Sequence, residues 1–406
     1  MTEVCLTPEH LQLGLYLHYP FCLRKCPYCD FNSHPKAEFK GRVSDAAYTQ
    51  RLISDFKSRI GLLSGRKFIS VFIGGGTPSL LPLHCLEQIL KEVEPYLQAG
   101  AEISMECNPG TLLNVSYLKE LRALGVNRLS LGIQSFNDRC LKAIGRIHNA
   151  AQARQACIWA REAGFDNLNL DIMHGLPGQS RADALQDLKE AAPLASHLSW
   201  YELTLEEDSY FGAHPPVLPD EDTLADIEDE GFEFLAAAGF ERYEISAFAK
   251  EGQYCRHNEN YWLFGDYLGV GAGAHSKITT SGGRVLRHAD AELPDAYLNC
   301  AASAAGSADA GDAAASWVQV AAEDLPFEYL LNRLRLLRPL PYRDFELAAG
   351  LPREVLQPKF AQAAADGLIE KCVCTDLWGQ QGDGIKLTNL GVRMLNEVLE
   401  LFLQQN

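Results

Sequence analysis

The sequence lacks long apolar runs and is poor in basic residues. No stretch approaches the roughly 18 consecutive apolar residues that a membrane-spanning helix needs, and the N-terminus lacks the basic-then-apolar order of a signal peptide. We therefore expect a cytoplasmic protein without a transmembrane segment, and peripheral contact with a membrane stays open. Only 36 Lys and Arg stand against 53 Asp and Glu, a net charge of −17. No nucleic-acid partner is expected, because broad binding to phosphates needs a basic surface.

The composition is otherwise that of a folded globular protein. Of its 406 residues, 47% are hydrophobic and 22% are charged, which argues against extensive disorder. At about 150 residues per domain, the length suits two or three domains. The twelve cysteines, in a reducing compartment, are better explained as thiols or metal ligands than as a disulfide framework.

Short β-rich runs alternate with amphipathic stretches of helical length, which predicts βαβ units and a parallel sheet. Unusual polar residues gather at the carboxyl ends of these runs, and a parallel barrel collects its functional groups at that face. The predicted fold class is therefore α/β, a partial (β/α)6 TIM-like barrel. Its six strands are expected at residues 13–19, 68–74, 102–107, 128–134, 167–174 and 198–205.

Shifts in composition predict the domain organisation. Residues 301–316 are only Ala, Ser, Gly and Asp, which have little to bury and indicate a linker. Beyond them, helical runs and a two-stranded ribbon predict a small winged-helix-like domain, whose nine basic and ten acidic side chains favour docking over DNA binding. The expected units are a barrel core at 1–215, its completion at 216–300, a linker at 301–325 and a C-terminal domain at 326–406.

Three cysteines are clustered directly after the first predicted strand. Cys22, Cys26 and Cys29 are spaced C-x3-C-x2-C. A cubane iron–sulfur cluster normally takes four thiolates, so three would leave one iron open. A ligand with an amino and a carboxylate group, such as S-adenosylmethionine, could chelate that iron. The alternative is a zinc site completed by His18 or His34. The contiguous spacing favours iron and sulfide, since structural zinc usually draws on two separated pairs.

Further polar candidates follow the later strands in the same phase. Gly74-Gly75-Gly76-Thr77-Pro78 follows the second strand, and its glycines would let the backbone approach a ligand while their N–H groups meet a carboxylate. The alternative is a tight βα turn, but the segment follows its strand in the same phase as the cysteine loop does, which favours a ligand site. The ends of the next four strands carry Glu106, Gln134, Asp171, His174, Thr204 and Glu206.

Two motifs lie after the sixth strand. His257-Asn-Glu-Asn-Tyr-Trp262 supplies an imidazole that could ligate heme iron, and Tyr261 and Trp262 offer flat apolar surface for a porphyrin. From composition alone, a packed and hydrogen-bonded histidine is the commoner explanation. Gly269-Val-Gly-Ala-Gly-Ala274 satisfies a loose dinucleotide-binding pattern, but no predicted helix follows it. We interpret it instead as a Gly-rich strand end at the mouth of the barrel.

The C-x3-C-x2-C spacing resembles that of the radical S-adenosylmethionine superfamily, and within it the anaerobic coproporphyrinogen dehydrogenases and their relatives. The resemblance runs from Leu13 to the C-terminal region. It implies a [4Fe–4S] cluster on Cys22, Cys26 and Cys29. It also implies S-adenosylmethionine contacts at Tyr16, Tyr28, Gly75, Gly76, Thr77, Glu106, Gln134, Arg146 and Asp171. In the dehydrogenases, the residues matching Gln134, Arg146 and Asp171 help to hold a second S-adenosylmethionine.

Two differences from the dehydrogenases direct the functional prediction. They carry a further cysteine where this chain has Phe31, and they have an N-terminal extension before the first strand. The H-N-x-x-Y-W motif is instead similar to that of the heme chaperones called HemW. This resemblance implies heme binding, with His257 the favoured iron ligand and Cys255 a weaker one.

The predicted function is therefore that of a heme chaperone, with no catalytic residue assigned. It would bind heme, the cluster and S-adenosylmethionine, and deliver heme to acceptor hemoproteins such as respiratory enzymes. A homodimer is expected by resemblance. The alternative is an oxygen-independent coproporphyrinogen III dehydrogenase.

Overall fold

The computed structural model describes residues 8–111, 114–300 and 317–403. Within these residues, no helix has both the length and the apolar character to cross a membrane. Of the predicted linker at 301–325, residues 301–316 lie outside the described residues.

Seven parallel strands form the centre of one large sheet. Six of them follow each other along the chain: β1 (Leu13–Tyr19), β2 (Phe68–Gly75), β3 (Leu97–Cys107), β4 (Arg128–Gln134), β5 (Asn167–His174) and β6 (His197–Glu202). Each pairs in parallel with the next. Most side chains of β1 are buried on both faces of the sheet, as expected for a central parallel strand covered by helices. The predicted α/β fold with six consecutive parallel strands is thus confirmed.

The sheet extends beyond the six predicted strands. A seventh parallel strand, β9 (Asp266–Val270), pairs with β1 on its other side. Antiparallel strands then continue both edges. The remaining members are β7 (Glu241–Glu244), β8 (Ala247–Ala249), β10 (His275–Thr279), β11 (Val285–Ala289) and β12 (Val318–Gln319). The order is β12-β11-β10-β9-β1-β2-β3-β4-β5-β6-β8-β7, so the described strands form an open sheet rather than a closed barrel.

Helices connect the strands and are capped as their sequences indicate. Ser44, Asn149 and Ser180 each accept a backbone N–H at a helix start. The helices preceding the C-terminal region are α1 (Asp45–Arg59), α2 (Leu83–Val93), α3 (Val115–Ala123), α4 (Asp138–Ala143), α5 (Ala150–Glu162), α6 (Arg181–Ala191), α7 (Tyr210–Ala213), α8 (Glu221–Ala237), α9 (Arg256–Trp262) and α10 (Pro294–Asn299). Short 3₁₀ turns lie at Pro8–His10, Lys36–Phe39, Ile60–Leu63, Pro78–Leu80, Glu94–Tyr96 and Arg353–Val355.

The C-terminal region packs around a core of its own. It also includes Leu11, Phe264 and Val285, so this core is continuous with the rim of the large sheet. Its elements are α11 (Leu325–Arg333), β13 (Leu340–Pro341), α12 (Tyr342–Ala349), α13 (Gln357–Ala365), β14 (Ile369–Thr375), β15 (Gln381–Leu387), α14 (Asn389–Arg393) and α15 (Leu395–Glu400). The predicted two-stranded ribbon is part of a three-stranded sheet, because β13 pairs with β15. The predicted domain boundaries stay a prediction.

Candidate functional site

One cavity of about 740 Å³ lies at the carboxyl ends of the parallel strands. Polar and charged side chains from successive strand ends meet there, as the shared phase of the motifs predicts. Of the fifteen residues assigned from the sequence, thirteen line it: Cys22, Cys26, Tyr28, Cys29, Gly75, Gly76, Thr77, Glu106, Gln134, Arg146, Asp171, Tyr261 and Trp262. Tyr16 and His257 are the two residues that do not.

The three clustered cysteines share this cavity wall. Cys22 belongs to a short extended segment, Phe21–Cys22, that pairs with His34–Pro35, and the Cys29 N–H donates to the Cys26 carbonyl over 3.1 Å. Burial, and then the neighbouring Cys29 and Cys26, raise the pKa of the Cys22 thiol to about 11. Three adjacent thiolates therefore need a cationic partner, and this donor set fits an iron–sulfur cluster.

The zinc alternative finds no support in the surrounding histidines. His18 donates from Nε2 to the Asn32 carbonyl, and His34 hydrogen-bonds through Nε2 to the Asn32 side chain. In the part of the chain that the structure describes, no three His, Cys, Asp or Glu side chains are arranged to hold one metal ion. A cubane differs, because each of its thiolates binds a different iron atom and the cysteines need not converge on one point.

The glycine segment lies directly against the cysteine loop. Gly75 has a φ of +119°, and a Cβ there would be 2.6 Å from the Tyr19 carbonyl oxygen. A Cβ on Gly76 would be 2.7 Å from the Phe21 carbonyl oxygen. Only glycine permits this approach. In this structure the Gly75 N–H donates to the Glu106 carboxylate and the Gly76 N–H to the Tyr19 carbonyl oxygen. Contact of these N–H groups with a ligand carboxylate stays a prediction.

Two carboxyl groups face the cavity beside the glycines. Glu106 accepts the Gly75 N–H at 3.0 Å, and Asp171 accepts from Ser130 Oγ and Asn169 Nδ2 at 3.1 and 2.8 Å. Burial, and then the charge of Asp171, raise the pKa of Glu106 to about 8. Burial also raises the pKa of Asp171. The pair can accept hydrogen bonds from hydroxyl groups and attract a cationic ligand group.

Gln134 and Arg146 complete the wall between the cysteines and the fifth strand. Gln134 has a φ of +66°, a left-handed conformation that is uncommon for a residue with a Cβ. Its side-chain oxygen accepts the Tyr201 hydroxyl at 3.0 Å. Arg146 donates to the Gly132 carbonyl at 2.7 Å and to Cys26 Sγ at 3.7 Å, while its buried Nε has no partner in the described structure. Its orphaned donor fits a site that awaits a ligand.

Tyr16 and His257 lie outside the cavity wall, stacked on each other at 6.4 Å. His257 is 1% exposed. Its Nδ1 is hydrogen-bonded to Ser70 Oγ at 2.9 Å, and its Nε2 to the Tyr261 hydroxyl at 2.7 Å. The ring also packs on Phe72 at 5.1 Å. Both imidazole nitrogens are thus occupied, and in this arrangement His257 is a packed histidine without a free lone pair.

The weaker strand-end candidates divide between the cavity and the core. Thr204 lines the cavity. The sixth strand was predicted to reach residue 205, but β6 ends at Glu202, so that predicted boundary is wrong. Glu206 does not line it. His174 is buried against Trp200, with ring centroids 4.4 Å apart. Cys255, the weaker heme-ligand candidate, is fully buried beside Glu102.

Sequence reasoning missed several cavity residues. Arg335, from the C-terminal region, lies over the Trp262 ring at 4.6 Å and forms an ion pair with Glu244. No local pattern links residue 335 to the barrel, so only the fold could reveal it. Tyr201 and Ser130 are also part of the wall. Their alternation along β4 and β6 is the signal that could have found them.

Comparisons with known proteins agree with this geometry. Residues 16–191 match the Radical SAM superfamily. The heme chaperone HemW of Escherichia coli K12 is 44% identical over 97% of this chain and 98% of its own, and that of Haemophilus influenzae is 40% identical over 98% and 100%. A solved structure with the same fold is that of E. coli coproporphyrinogen III oxidase, HemN, a radical SAM enzyme. The match covers 98% of this chain and 92% of that chain, with a TM-score of 0.75 and 24% sequence identity, and it shows the shared fold.

Proposed function

The chain belongs to the HemW family of heme chaperones within the radical SAM superfamily, and from that premise we propose that it binds heme, a [4Fe–4S] cluster and S-adenosylmethionine and delivers heme to acceptor hemoproteins such as respiratory enzymes. The observation that carries the proposal is the cavity of about 740 Å³ at the carboxyl ends of the parallel strands. It has three thiols on one wall and buried carboxyl groups on another. We expect this function in the cytoplasm, and a homodimer stays an expectation.

The cluster would be held by Cys22, Cys26 and Cys29. When bound, it would supply an iron with an open coordination position and a redox couple. The surrounding side chains contribute charge and hydrogen bonds: Arg146 donates to Cys26 Sγ, and Cys29 Sγ is 3.4 Å from Ser33 Oγ. Donors to thiolate sulfur favour the ionised state that metal binding requires.

S-adenosylmethionine would occupy the cavity between the cysteine loop and the strand ends. Gly75 and Gly76 give it room by keeping the backbone tight against the loop. Glu106 and Asp171 would accept from its hydroxyl groups or attract its cationic groups, and Tyr28 lies at 3.5 Å from Arg146 on the opposite wall. Tyr16 would act from behind the wall, through its 2.9 Å hydrogen bond to His18 Nδ1. Gln134, Arg146, Asp171 and Thr77 complete the proposed contacts.

Heme is the part of the proposal that this cavity supports least directly. Tyr261 and Trp262 line it and offer flat surface. His257 as iron ligand stays a prediction, and it requires the hydrogen bond from Tyr261 to break and the imidazole to leave its place against Phe72.

The decisive experiment is heme transfer from purified protein to an apo-respiratory enzyme, with and without reconstituted cluster. We expect acceptor activity to appear with the heme-loaded chain. The alternative, oxygen-independent coproporphyrinogen III dehydrogenase, is tested in parallel with coproporphyrinogen III, S-adenosylmethionine and a reductant without oxygen. Phe31 stands where the dehydrogenases carry a further cysteine and is 58% exposed at the cavity. Multiple turnovers to protoporphyrinogen would replace the chaperone proposal with the enzyme.

A further inference from the structure

We propose that His197 and Asn169 are positioning residues for Asp171, one of the two carboxyl groups that face the cavity. A chain of hydrogen bonds inside the barrel fixes the direction in which this carboxylate presents its lone pairs to a ligand. The inference rests on the proposed binding of S-adenosylmethionine, in which Asp171 is one of the contacts. Asp171 lines the cavity and His197 and Asn169 do not, so both would act through Asp171 and not on the ligand itself.

The chain is built from side chains on three neighbouring strands. Ser130 lies on β4, Asn169 and Asp171 lie on β5, and His197 is the first residue of β6. Because successive side chains of a strand point to opposite faces, Asn169 and Asp171 point to the same face. In the sheet register, Asn169 pairs with Ser130 on one side and with His197 on the other. The fold therefore places three polar residues in one row, one layer further from the strand ends than Asp171.

Two members of this row donate directly to the carboxylate. Asn169 Nδ2 donates to Asp171 Oδ1 at 2.8 Å and to Ser130 Oγ at 2.7 Å. Ser130 Oγ in turn donates to Asp171 Oδ2 at 3.1 Å. Each carboxylate oxygen thus accepts one hydrogen bond from within the barrel and keeps a lone pair for a group in the cavity. Together the two bonds fix the plane of the carboxylate.

The His197 imidazole has a defined tautomer in this chain. Its Nδ1 lies 2.6 Å from Asn169 Oδ1 and must donate there, because an amide oxygen only accepts. Its Nε2 accepts the Tyr243 hydroxyl at 2.8 Å. Burial, and then the charge of Arg128, lower the pKa of His197 well below its ordinary value. The ring is therefore neutral and has a single N–H, which it gives to Asn169.

This N–H decides which way the Asn169 amide faces. Turning the amide over would set its oxygen against the Asp171 carboxylate and its NH2 group against the His197 N–H, so that acceptor meets acceptor and donor meets donor. Ser199 Oγ also donates to Asn169 Oδ1, at 3.2 Å, but a hydroxyl can accept as well as donate and does not enforce the direction. His197 therefore selects the amide orientation that supplies a donor to Asp171.

The position of the network makes this selection consequential. Asn169, His197 and Ser130 are all buried, so bulk water does not replace a lost bond. Burial raises the pKa of Asp171, and the hydrogen bonds from Asn169 and Ser130 oppose that change. The same donors thus orient the carboxylate and favour its ionised form, which is the form that accepts from ligand hydroxyl groups on both oxygens.

The test is equilibrium binding of S-adenosylmethionine to the full chain with reconstituted cluster. His197→Leu removes the donor, and we expect the affinity to fall about three- to tenfold, the range that one hydrogen bond gives. His197→Asn keeps an N–H donor at the place of Nδ1 and should restore most of the affinity. His288→Leu replaces a buried histidine on β11, near the other edge of the sheet, and as the matched control should bind like wild type.

A double-mutant cycle separates positioning from general destabilisation. In an Asp171→Ala background, His197→Leu should cost no further affinity, because the group that it positions is gone. The same fold-loss in both backgrounds would overturn the inference, and so would wild-type affinity in His197→Leu. If His197→Leu does not fold, Tyr243→Phe replaces it in the cycle. That change removes only the hydroxyl that bonds to Nε2, and we expect a fall of about twofold that is absent in Asp171→Ala.

The wild-type chain distinguishes the two levels of failure. Wild type that binds S-adenosylmethionine, with unchanged affinity in both His197→Leu and Tyr243→Phe, would overturn the positioning role while the proposed site stands. Wild type that binds no S-adenosylmethionine would overturn that part of the proposed function and this inference together.

Discussion

Two imidazoles, one buried under the barrel strands and one exposed directly after α7, differ in how their nitrogens are bonded. His257 is bonded through both nitrogens, to Ser70 and to Tyr261, and is 1% exposed. His214 is exposed, and its Nδ1 donates to the Tyr210 carbonyl oxygen at 3.3 Å. The first arrangement uses both ring nitrogens inside the fold, whereas the second fixes an exposed ring by one hydrogen bond and by stacking on Tyr210. A histidine in a family motif is therefore not by that fact the residue that binds the family's ligand.

The surroundings of His257 show what the H-N-x-x-Y-W motif does in this fold. A Cβ on Gly14 would meet Ser70 Oγ at 3.2 Å and His257 Nδ1 at 3.3 Å, so α9 packs directly on β1 and β2. Glu102 accepts the N–H groups of Arg256 and His257 at the helix start, each at 3.2 Å. The motif fastens α9 beneath the cavity and thereby aims Tyr261 and Trp262 into it.

The largest effect is expected at the loop that carries Cys22, Cys26 and Cys29. Cys26→Ala removes one of the three thiols and should abolish the iron–sulfur cluster, because the two that remain cannot hold a cubane. Iron and sulfide analysis of protein purified without oxygen measures this. Cys300→Ala, at an exposed cysteine away from the loop, is the matched control and should retain full cluster content. Full iron and sulfide in Cys26→Ala would show that the cysteine loop is not the cluster site.

A glycine substitution tests whether the cavity beside the cysteine loop binds S-adenosylmethionine. Gly76→Ala puts a Cβ 2.7 Å from the Phe21 carbonyl oxygen, so the backbone must move away from the cysteine loop. We expect S-adenosylmethionine affinity to fall by about tenfold or more, equal to at least about 1.4 kcal/mol. Equilibrium binding of S-adenosylmethionine checks this, with heme binding measured alongside.

Gly61→Ala is its control, because a Cβ there meets nothing within 4 Å. Equal losses in the two variants would mean that the effect comes from general destabilisation. A parallel fall in heme affinity would place heme in the same cavity.

The carboxyl pair predicts a pH dependence that arises in this cavity. Glu106 has its folded-state pKa raised from 4.5 to about 8, so it binds its proton more tightly in the folded chain. The stability it contributes is fully present below pH 4.5 and is lost as the pH rises towards 8. Glu106→Gln removes this loss. We expect the variant to gain at least about 1.4 kcal/mol on wild type between pH 5 and pH 8, the equivalent of one pKa unit.

Urea unfolding at the two pH values, without S-adenosylmethionine, measures the gain. Glu207→Gln, at an exposed carboxyl group outside the cavity, should follow the wild-type pH dependence. A variant whose stability tracks wild type at both pH values would show that Glu106 titrates normally.

The sequence predicted the strands far better than the environment of individual side chains. β1, β4 and β5 begin and end at the predicted residues, since these short runs rich in Leu and Ile are bounded by clear helical segments. β9 was not counted as a barrel strand, because its five residues include Gly269 and lead into a glycine-rich loop. The cavity was predictable because parallel strands align their ends. The hydrogen bonds of His257 were not, because Ser70 is 187 residues away in the chain.

The smallest expected effect is that of Tyr261→Phe, which tests whether His257 is structural or a heme ligand. Tyr261→Phe removes one hydroxyl, and with it the 2.7 Å hydrogen bond to His257 Nε2, while keeping the ring at the cavity wall. If His257 is structural, unfolding in urea should show a loss of about 0.5–1.5 kcal/mol, the usual worth of such a bond, and heme affinity should not change. If His257 is the iron ligand, freeing Nε2 should instead strengthen heme binding. The direction of the change in heme affinity therefore decides between these two roles of His257, because the hydroxyl that bonds to Nε2 has been removed.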